Sequence, residues 1–452
     1  MEKQGQRKLF GTDGIRGIAG KYPLDAETIK ITAYEASLVL TKYIKSDTQK
    51  SVVVGRDTRS SGEWILDALK EGFMCGGINI IDAGIIPTPA VSFLVKKLNC
   101  ICGVVISASH NTFEYNGIKF FSNTGEKLPD AVEHEIETSI LQNPKVVCID
   151  NTEYKDFREQ ADSYYFDFLK STVEKDFNLD GIKIVIDCAN GALYDIAPKF
   201  FKELGADVIA LNTEPNGKNI NAKCGSLHKD ILINAVVKNN ADLGFAFDGD
   251  GDRVLFTDEQ GSDIDGDHLM CMTAVFLKEK GMLKDNNLVV TLMTNLGLKI
   301  AMKEINVFET AVGDRYVYEK MKEIDSSLGG EQSGHIIFRD FSLTGDGMLT
   351  SLQILRIIKT ANKPLSSLAG IMEKLPQILV NVKVKERKDV MLIPSLFNAY
   401  KNIEKELEEK GRVVIRYSGT EPLLRIMIEG RDYNRIKQMA DEYAELVKKE
   451  IG

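Results

Sequence analysis

The stretch LGFAFDGDGDR, residues 243–253, decides how this chain is read. Its first five residues are apolar and stop abruptly at Asp248, the length and pattern of a buried strand. Asp248, Asp250 and Asp252 follow at alternate positions, so on an extended chain their carboxylates project to one side. Gly249 and Gly251 let that chain curl around a cation, and all-oxygen ligation suits a hard ion, Mg²⁺ or Ca²⁺. Glu259 stands where an EF-hand loop would place its last ligand, but Arg253 occupies the position that needs glycine, and the flanks read as strands. The EF-hand reading fails on both counts. A solvated acidic turn is the plainer alternative, and the regularity of the triplet argues against it.

Working outward, strand-like and helix-like runs alternate on both sides of this loop. Apolar β-rich runs at 52–54, 78–81 and 104–106 are separated by helical spacing at 64–73 and 90–98. The pattern restarts with strands at 182–186, 208–211 and 243–247 around helices 195–204 and 231–237. A third cycle has strands at 288–292 and 307–311, a helix at 316–321 and a helical run at 348–368. After Pro376 the order becomes βαββα: strand 378–384, helix 393–407, strands 413–415 and 424–428, and a closing helix carrying Ile436, Met439, Tyr443 and Val447. The fold class expected is α/β, with three consecutive α/β domains of mixed or parallel sheets plus a smaller C-terminal α+β domain. The expected spans are 1–155, 156–257, 258–373 and 374–452, in keeping with a length of 452 residues.

Composition narrows the function classes. A formal charge of −9 argues against a general nucleic-acid binder, so any phosphate must be held by local arginines and lysines. Residues 1–10 are polar and lack the apolar core of a signal peptide, and no run is long enough to cross a bilayer. The seven cysteines, at 75, 100, 102, 148, 188, 224 and 271, are odd in number and scattered, and Cys100 and Cys102, one residue apart in an apolar run, suit neither a zinc knuckle nor a redox pair. They are expected as reduced core thiols in a cytoplasmic protein.

Four further loops carry polar chemistry. Ser107-Ala108-Ser109-His110-Asn111 closes the strand 104–106, at the strand end where open α/β sheets bind ligands. Ser109 could be a nucleophile or phosphate carrier, or a turn residue; His110 could transfer protons or organise the loop. Arg416-Tyr417-Ser418-Gly419-Thr420-Glu421-Pro422, with Arg425 beyond, joins guanidinium forks, hydroxyls and free backbone N–H groups in a phosphate clamp. Gly329 to His335 sets Glu331, Ser333 and His335 on one face of an extended segment, suited to sugar hydroxyls or to a polar hairpin. Gly11-Thr12-Asp13-Gly14-Ile15-Arg16-Gly17 is glycine-rich with one arginine, a weak signal alone.

Together and in this order, segments 10–17, 107–119, 248–253, 329–335 and 416–422 resemble the α-D-phosphohexomutases along essentially the whole chain. The first and last are most similar to the bacterial branch that acts on glucosamine phosphates. The resemblance implies four domains around a central cleft and an intramolecular phosphotransferase of the isomerase class. Ser109 would be the phosphoserine and, with Asp248, Asp250 and Asp252, would hold Mg²⁺. Arg16 and Lys119 would flank the phosphoryl group and assist proton transfer, with His110 beside them. Arg253, Glu331, Ser333 and His335 would meet the substrate, and Arg416, Ser418, Gly419, Thr420 and Arg425 would grip the phosphate that is not reacting. Thr112 stands where the family usually has proline, which leaves the serine loop less restricted.

The reaction so implied interconverts glucosamine 6-phosphate and glucosamine 1-phosphate through a bisphosphate, feeding UDP-N-acetylglucosamine synthesis. Expected partners are a phosphosugar and a bisphosphate activator, with no nucleic acid and no membrane, and a homodimer is compatible with the sequence. A glucose or mannose phosphate as substrate keeps the same chemistry, and a phosphosugar-binding protein without turnover is the alternative from another class. A phosphatase of the aspartyl-phosphate type would need a downstream lysine and acidic motif that the chain does not convincingly supply.

Overall fold

Seven strands make up the first sheet, in the order Phe10–Gly11, Gly14–Ile18, Tyr115–Ser122, Cys100–Ile106, Gln49–Arg56, Asn79–Ile85 and Tyr154–Asp156. The structure, a computed structural model, describes residues 9–11, 13–142, 145–148, 152–418 and 422–452. Within this sheet Gln49–Arg56 pairs in parallel with both Asn79–Ile85 and Cys100–Ile106, while Tyr115–Ser122 runs antiparallel to Cys100–Ile106 and Gly14–Ile18. The antiparallel half brings the segment around Arg16 and the strand bearing Lys119 beside the end of the serine-loop strand, with Arg16 opposite Gly117 and Val105 opposite Lys119.

The second sheet orders Asp263–Ile264, Val254–Asp258, Leu243–Phe247, Lys183–Asp187 and Asp207–Leu211. Leu243–Phe247 and Val254–Asp258 are antiparallel neighbours, with Phe247 opposite Val254, so residues 248–253 form the loop that turns one into the other. The third sheet orders Asn306–Thr310, Asn287–Thr291, Leu328–Gly330 and Ile336–Phe338, and the last is a purely antiparallel set of Gln377–Lys383, Leu423–Gly430 and Gly411–Tyr417. The three α/β sheets thus have seven, five and four strands. The first three share one continuous core, in which Phe245 packs against Phe201, Phe247 and Phe256 with centroids 5.2–5.5 Å apart. Each such ring buried in full contributes about 1.5–3 kcal/mol.

Two expectations are corrected. The helical run 348–368 is two helices, Gly347–Ala361 and Leu365–Ala369: Asn362 ends the first in the left-handed region at φ 51°, and Pro364 cannot continue it. The cysteines are not all reduced, since Cys75 and Cys148 form a disulfide while the other five are free and buried. The cause lies in the sheet register. Tyr154–Asp156 pairs in parallel with Asn79–Ile85, Tyr154 opposite Ile80, and Cys75 and Cys148 each precede one of these two paired strands. No helix among the described residues is long and apolar enough to cross a membrane.

Candidate active site

Ser109 follows the strand Cys100–Ile106 in a conformation that side chains rarely adopt, φ 52°, and it is 1% exposed. Neighbours fix it there. The Ser107 hydroxyl accepts the Ser109 N–H at 2.9 Å and donates to Asp57 Oδ2 at 2.6 Å. Arg59, itself bound to Asp57 at 2.8 Å, donates to the carbonyls of Ser109 (3.0 Å), Asn111 (2.8 Å) and Tyr115 (3.0 Å), and to that of Thr112. Asn221 Nδ2 adds bonds to Ser109 O at 2.9 Å and Asn111 O at 3.0 Å. The freedom that threonine gives position 112 is thus taken up by side-chain donors gathered on the loop's carbonyls.

Against this loop lies the turn 248–253. Gly249 is required there by close approach: a Cβ would lie 2.5 Å from Ser109 O and 2.8 Å from Asn221 Nδ2. On its other side a Cβ on Gly191 would lie 2.4 Å from Gly249 O, which accepts the Ala192 N–H at 2.8 Å. The Asp248, Asp250 and Asp252 carboxylates are buried, and each offers an oxygen within 4.8 Å of the others. Buried Asp250 Oδ1 and Asp252 Oδ1 have no hydrogen-bond partner, although such atoms nearly always have one. Three converging hard oxygens with two unused fit a divalent cation of the Mg²⁺ type.

Ser109 Oγ donates to Asp248 Oδ2 at 2.6 Å and lies 3.3 Å from His110 Nδ1. Lys119 Nζ donates to Asp250 Oδ2 at 2.7 Å and stands 3.2 Å from Asp13 Oδ2 and 3.8 Å from Asp252 Oδ2. Arg16 donates to Asp13, and its buried Nε has no partner. Arg253 donates its backbone N–H to Asp248 Oδ1 at 3.2 Å and places Nε 3.8 Å from Asp252 Oδ1.

Burial and like charge set the protonation states. Burial, then Asp252 and Asp250, push the Asp248 carboxyl well above the usual range. Burial also acts upward on Asp252, but Lys119, His335 and Arg253 hold it below. Lys119 would be lowered by burial, yet Asp13, Asp250 and Asp252 keep its ammonium above the ordinary value. His110 falls to about 4 through burial and the nearby Arg253 and Arg16, so its ring is neutral at pH 7.

The loop 329–335 reaches the same place. His335 is 2% exposed; its Nδ1 lies 3.6 Å from Asp252 Oδ2 and its Nε2 accepts the Gly345 N–H at 2.9 Å. Glu331 Oε1 accepts the Gly313 N–H at 3.1 Å, and the buried Ser333 Oγ has no partner. Arg416, Ser418 and Arg425 gather in the C-terminal sheet, with Arg416 directly opposite Arg425 and Arg425 Nη2 3.5 Å from Ser418 Oγ. Gly419 and Thr420 lie outside the described residues.

Asp13, Arg59, Thr88, Lys127 and Asp314 also belong to this assembly and carry no role in the sequence reading: the Thr88 hydroxyl donates to Asp250 Oδ2 at 2.6 Å, and Lys127 donates to Asp13 Oδ1 at 2.6 Å and to Asp314 Oδ2. Arg59 carried a usable signal, because residues 55–59 follow the strand run 52–54 just as the serine loop follows 104–106. Lys127 and Asp314 carried none, being lone charges in unremarkable stretches.

The whole arrangement has relatives. A phosphoglucosamine mutase of Geotalea uraniireducens is 48% identical over 99% of both chains, and that of Clostridioides difficile is 47% identical over 99% of this chain and all of its own. A solved phosphoglucomutase/phosphomannomutase family protein from Burkholderia thailandensis superposes with a TM-score of 0.79 at 22% identity, covering 98% of each chain. The Aspergillus fumigatus N-acetylphosphoglucosamine mutase, solved with GlcNAc-6P and magnesium, gives 0.69 at 17% identity over 99% of this chain and 96% of its own. Family models match in sequence: phosphoglucomutase/phosphomannomutase alpha/beta/alpha domain I over residues 7–146, domain II over 163–261, domain III over 265–375 and the C-terminal domain over 379–446. With all four of its domains present in order, this chain belongs to the phosphoglucomutase/phosphomannomutase family, the α-D-phosphohexomutases.

Proposed function

We propose that the protein interconverts glucosamine 6-phosphate and glucosamine 1-phosphate, with Ser109 as the phosphate carrier and Mg²⁺ on Asp248, Asp250 and Asp252. The observation that carries this reading is the Ser109 hydroxyl, hydrogen-bonded at 2.6 Å into a buried carboxylate cluster with unused oxygens. The choice of glucosamine over glucose or mannose is supported by the names of the full-length relatives. The spans 1–155, 156–257, 258–373 and 374–452 stand as the units of the reading.

In the forward half-reaction the bond between phosphorus and Ser109 Oγ breaks as phosphorus bonds to the free sugar hydroxyl, and the proton that this hydroxyl loses is matched by one gained at Ser109 Oγ, which is left as the free alcohol. The bisphosphate then turns in the site, and its other phosphate returns to Ser109 Oγ. Bound Mg²⁺ would neutralise charge on the phosphoserine oxygens and the transferring group. Arg16, Lys119 and Arg253 supply positive charge beside the same group, where fixed charges in a dry site act strongly. Neutral His110 touches Ser109 Oγ and holds the side chain in line. Glu331, Ser333 and His335 meet sugar hydroxyls, and Arg416, Ser418, Thr420 and Arg425 grip the idle phosphate. A bisphosphate of the substrate sugar primes the resting serine.

The test incubates the enzyme with glucosamine 6-phosphate, glucose 6-phosphate and mannose 6-phosphate, following the 1-phosphates formed. Preference for the glucosamine compound by about one to two powers of ten in kcat/KM is expected, the scale of a single charge-assisted hydrogen bond. A glucose or mannose phosphate used tenfold better would overturn the substrate, and wild-type turnover by Ser109→Ala would overturn the carrier.

A further inference from the structure

Lys127 sits where the first and third domains meet, and its ammonium joins two carboxylates from opposite sides: Asp13 Oδ1 at 2.6 Å and Asp314 Oδ2. It is the central link of an alternating chain of charge. Asp252 faces Lys119 at 3.8 Å, Lys119 faces Asp13 at 3.2 Å, Asp13 binds Lys127, and Lys127 binds Asp314. Asp13 also takes Arg16. The chain does not close into a ring: His335 Nε2 lies 3.7 Å from Asp314 Oδ2 but is already accepting the Gly345 N–H. The side chains of Asp13, Lys127 and Asp314 are only 18–22% exposed, so their attraction is weakly screened. Burial pushes the Asp13 carboxyl up, but Lys119, Lys127 and Arg16 together hold it well below the usual range, and it stays an anion.

We propose that Lys127 is a positioning residue for phosphoryl transfer: by holding Asp13 against Asp314 it sets Arg16 and Lys119 at the phosphoserine. The inference rests on Ser109 being the phosphate carrier. Two features favour positioning over mere adhesion between domains. Asp13 is a short side chain that must reach Lys119, Arg16 and Lys127 at once, so its place fixes theirs. Adhesion along this seam is already supplied elsewhere, by Arg315 to Asp130 and Leu128 O, and by Tyr318 and Lys322 to Glu126. Removing the Lys127 charge leaves the Asp13 and Asp314 carboxylates facing each other, and repulsion carries Asp13 and its two cations out of place. A misplacement of about 1 Å in a phosphoryl-transfer site costs up to about a hundredfold in rate.

The test follows the intact mass of dephosphorylated enzyme mixed with glucose 1,6-bisphosphate under single-turnover conditions, which reads phosphate arriving on the protein whatever the preferred sugar. Lys127→Met should slow transfer by about tenfold or more, while half-saturation by the bisphosphate changes less than about threefold. Lys127→Arg should restore the rate to within about threefold. Asp314→Asn should be slowed similarly, and the double variant no further than either alone, because both break one link. The relay is overturned if Lys127→Met transfers at the wild-type rate, if losses track a lowered melting temperature, or if the two single losses multiply. Should Lys127→Met fail to fold, Asp314→Asn and Lys127→Arg decide between the same outcomes. A wild-type enzyme that takes up no phosphate refutes the carrier reading instead, and so the two failures are told apart.

Discussion

Thr88 and Asp250 are bonded twice: the threonine hydroxyl donates to Asp250 Oδ2 at 2.6 Å, and its backbone N–H donates to Asp250 O at 2.9 Å. Thr88 opens the helix Thr88–Lys97 in the first domain, so a helix start there orients a carboxylate of the second. Thr88→Val keeps the shape and the backbone bond but drops the hydroxyl. Stability should fall by about 1 kcal/mol, the usual net worth of one hydrogen bond. Mg²⁺ affinity, read by calorimetry, should weaken several-fold because Asp250 loses its aim. Unchanged affinity would mean that Lys119 alone orients Asp250.

Gly249→Ala tests the seam between the serine and aspartate loops. The added carbon would meet Ser109 O at 2.5 Å, and that carbonyl is pinned by Arg59 and Asn221, so the strain falls on the serine itself. Turnover should fall by about a hundredfold or more, against a stability loss of about 1–3 kcal/mol. Activity within threefold of wild type would show that the two loops can part without harm.

Asp346 predicts a pH signature. Burial raises its carboxyl to about 6, and its Oδ2 has no hydrogen-bond partner to offset the charged form, while Tyr165 and the Leu349 N–H hold Oδ1. The folded value lies above the unfolded one, so the native state binds the proton more tightly. The stabilisation is full below about pH 4 and is lost as pH rises through about 6. The two values span a loss of at most about 3 kcal/mol. Asp346→Asn cannot titrate, so denaturant unfolding should show the variant gaining on wild type from pH 4.5 to 7. Parallel stability curves would refute this.

The disulfide gives the fourth expectation. Cys75 and Cys148 are 73 residues apart, a loop whose closure is worth about 4.4 kcal/mol at most in the unfolded chain. Wild type should melt lower in dithiothreitol than without it, and Cys75→Ser should remove the difference. A response to reductant that survives in the variant would place the sensitivity elsewhere.

The strands ending at Ile106 and Phe247, the aspartate triplet and the serine loop were legible in sequence because each is local: an apolar run followed at once by its polar residues. Leu243–Phe247 was readable to the residue, since Asp248 ends it sharply. Tyr115–Ser122 was not read as a strand, because Lys119 and Asn116 interrupt its apolar pattern while facing the site and a polar contact. Arg59, Lys127 and Asp314 were missed for another reason. Their partners lie far off in sequence, Asp314 187 residues from Lys127, and a lone charge says nothing until the fold supplies its counterpart. The disulfide was hidden likewise, in a sheet register that the short strand Tyr154–Asp156 does not announce.

Arg416 and Arg425 face each other across the C-terminal sheet, and burial and this like-charged neighbour both lower the Arg416 guanidinium. Two cations set side by side repel, and a dianion settling between them, as proposed for the idle phosphate, would relieve that repulsion. Such a clamp would ask only for charge, whichever carbon of the sugar bears the phosphate. A catalyst that must hold its ligand by one end and then by the other gains from that indifference, because neither orientation becomes a trap.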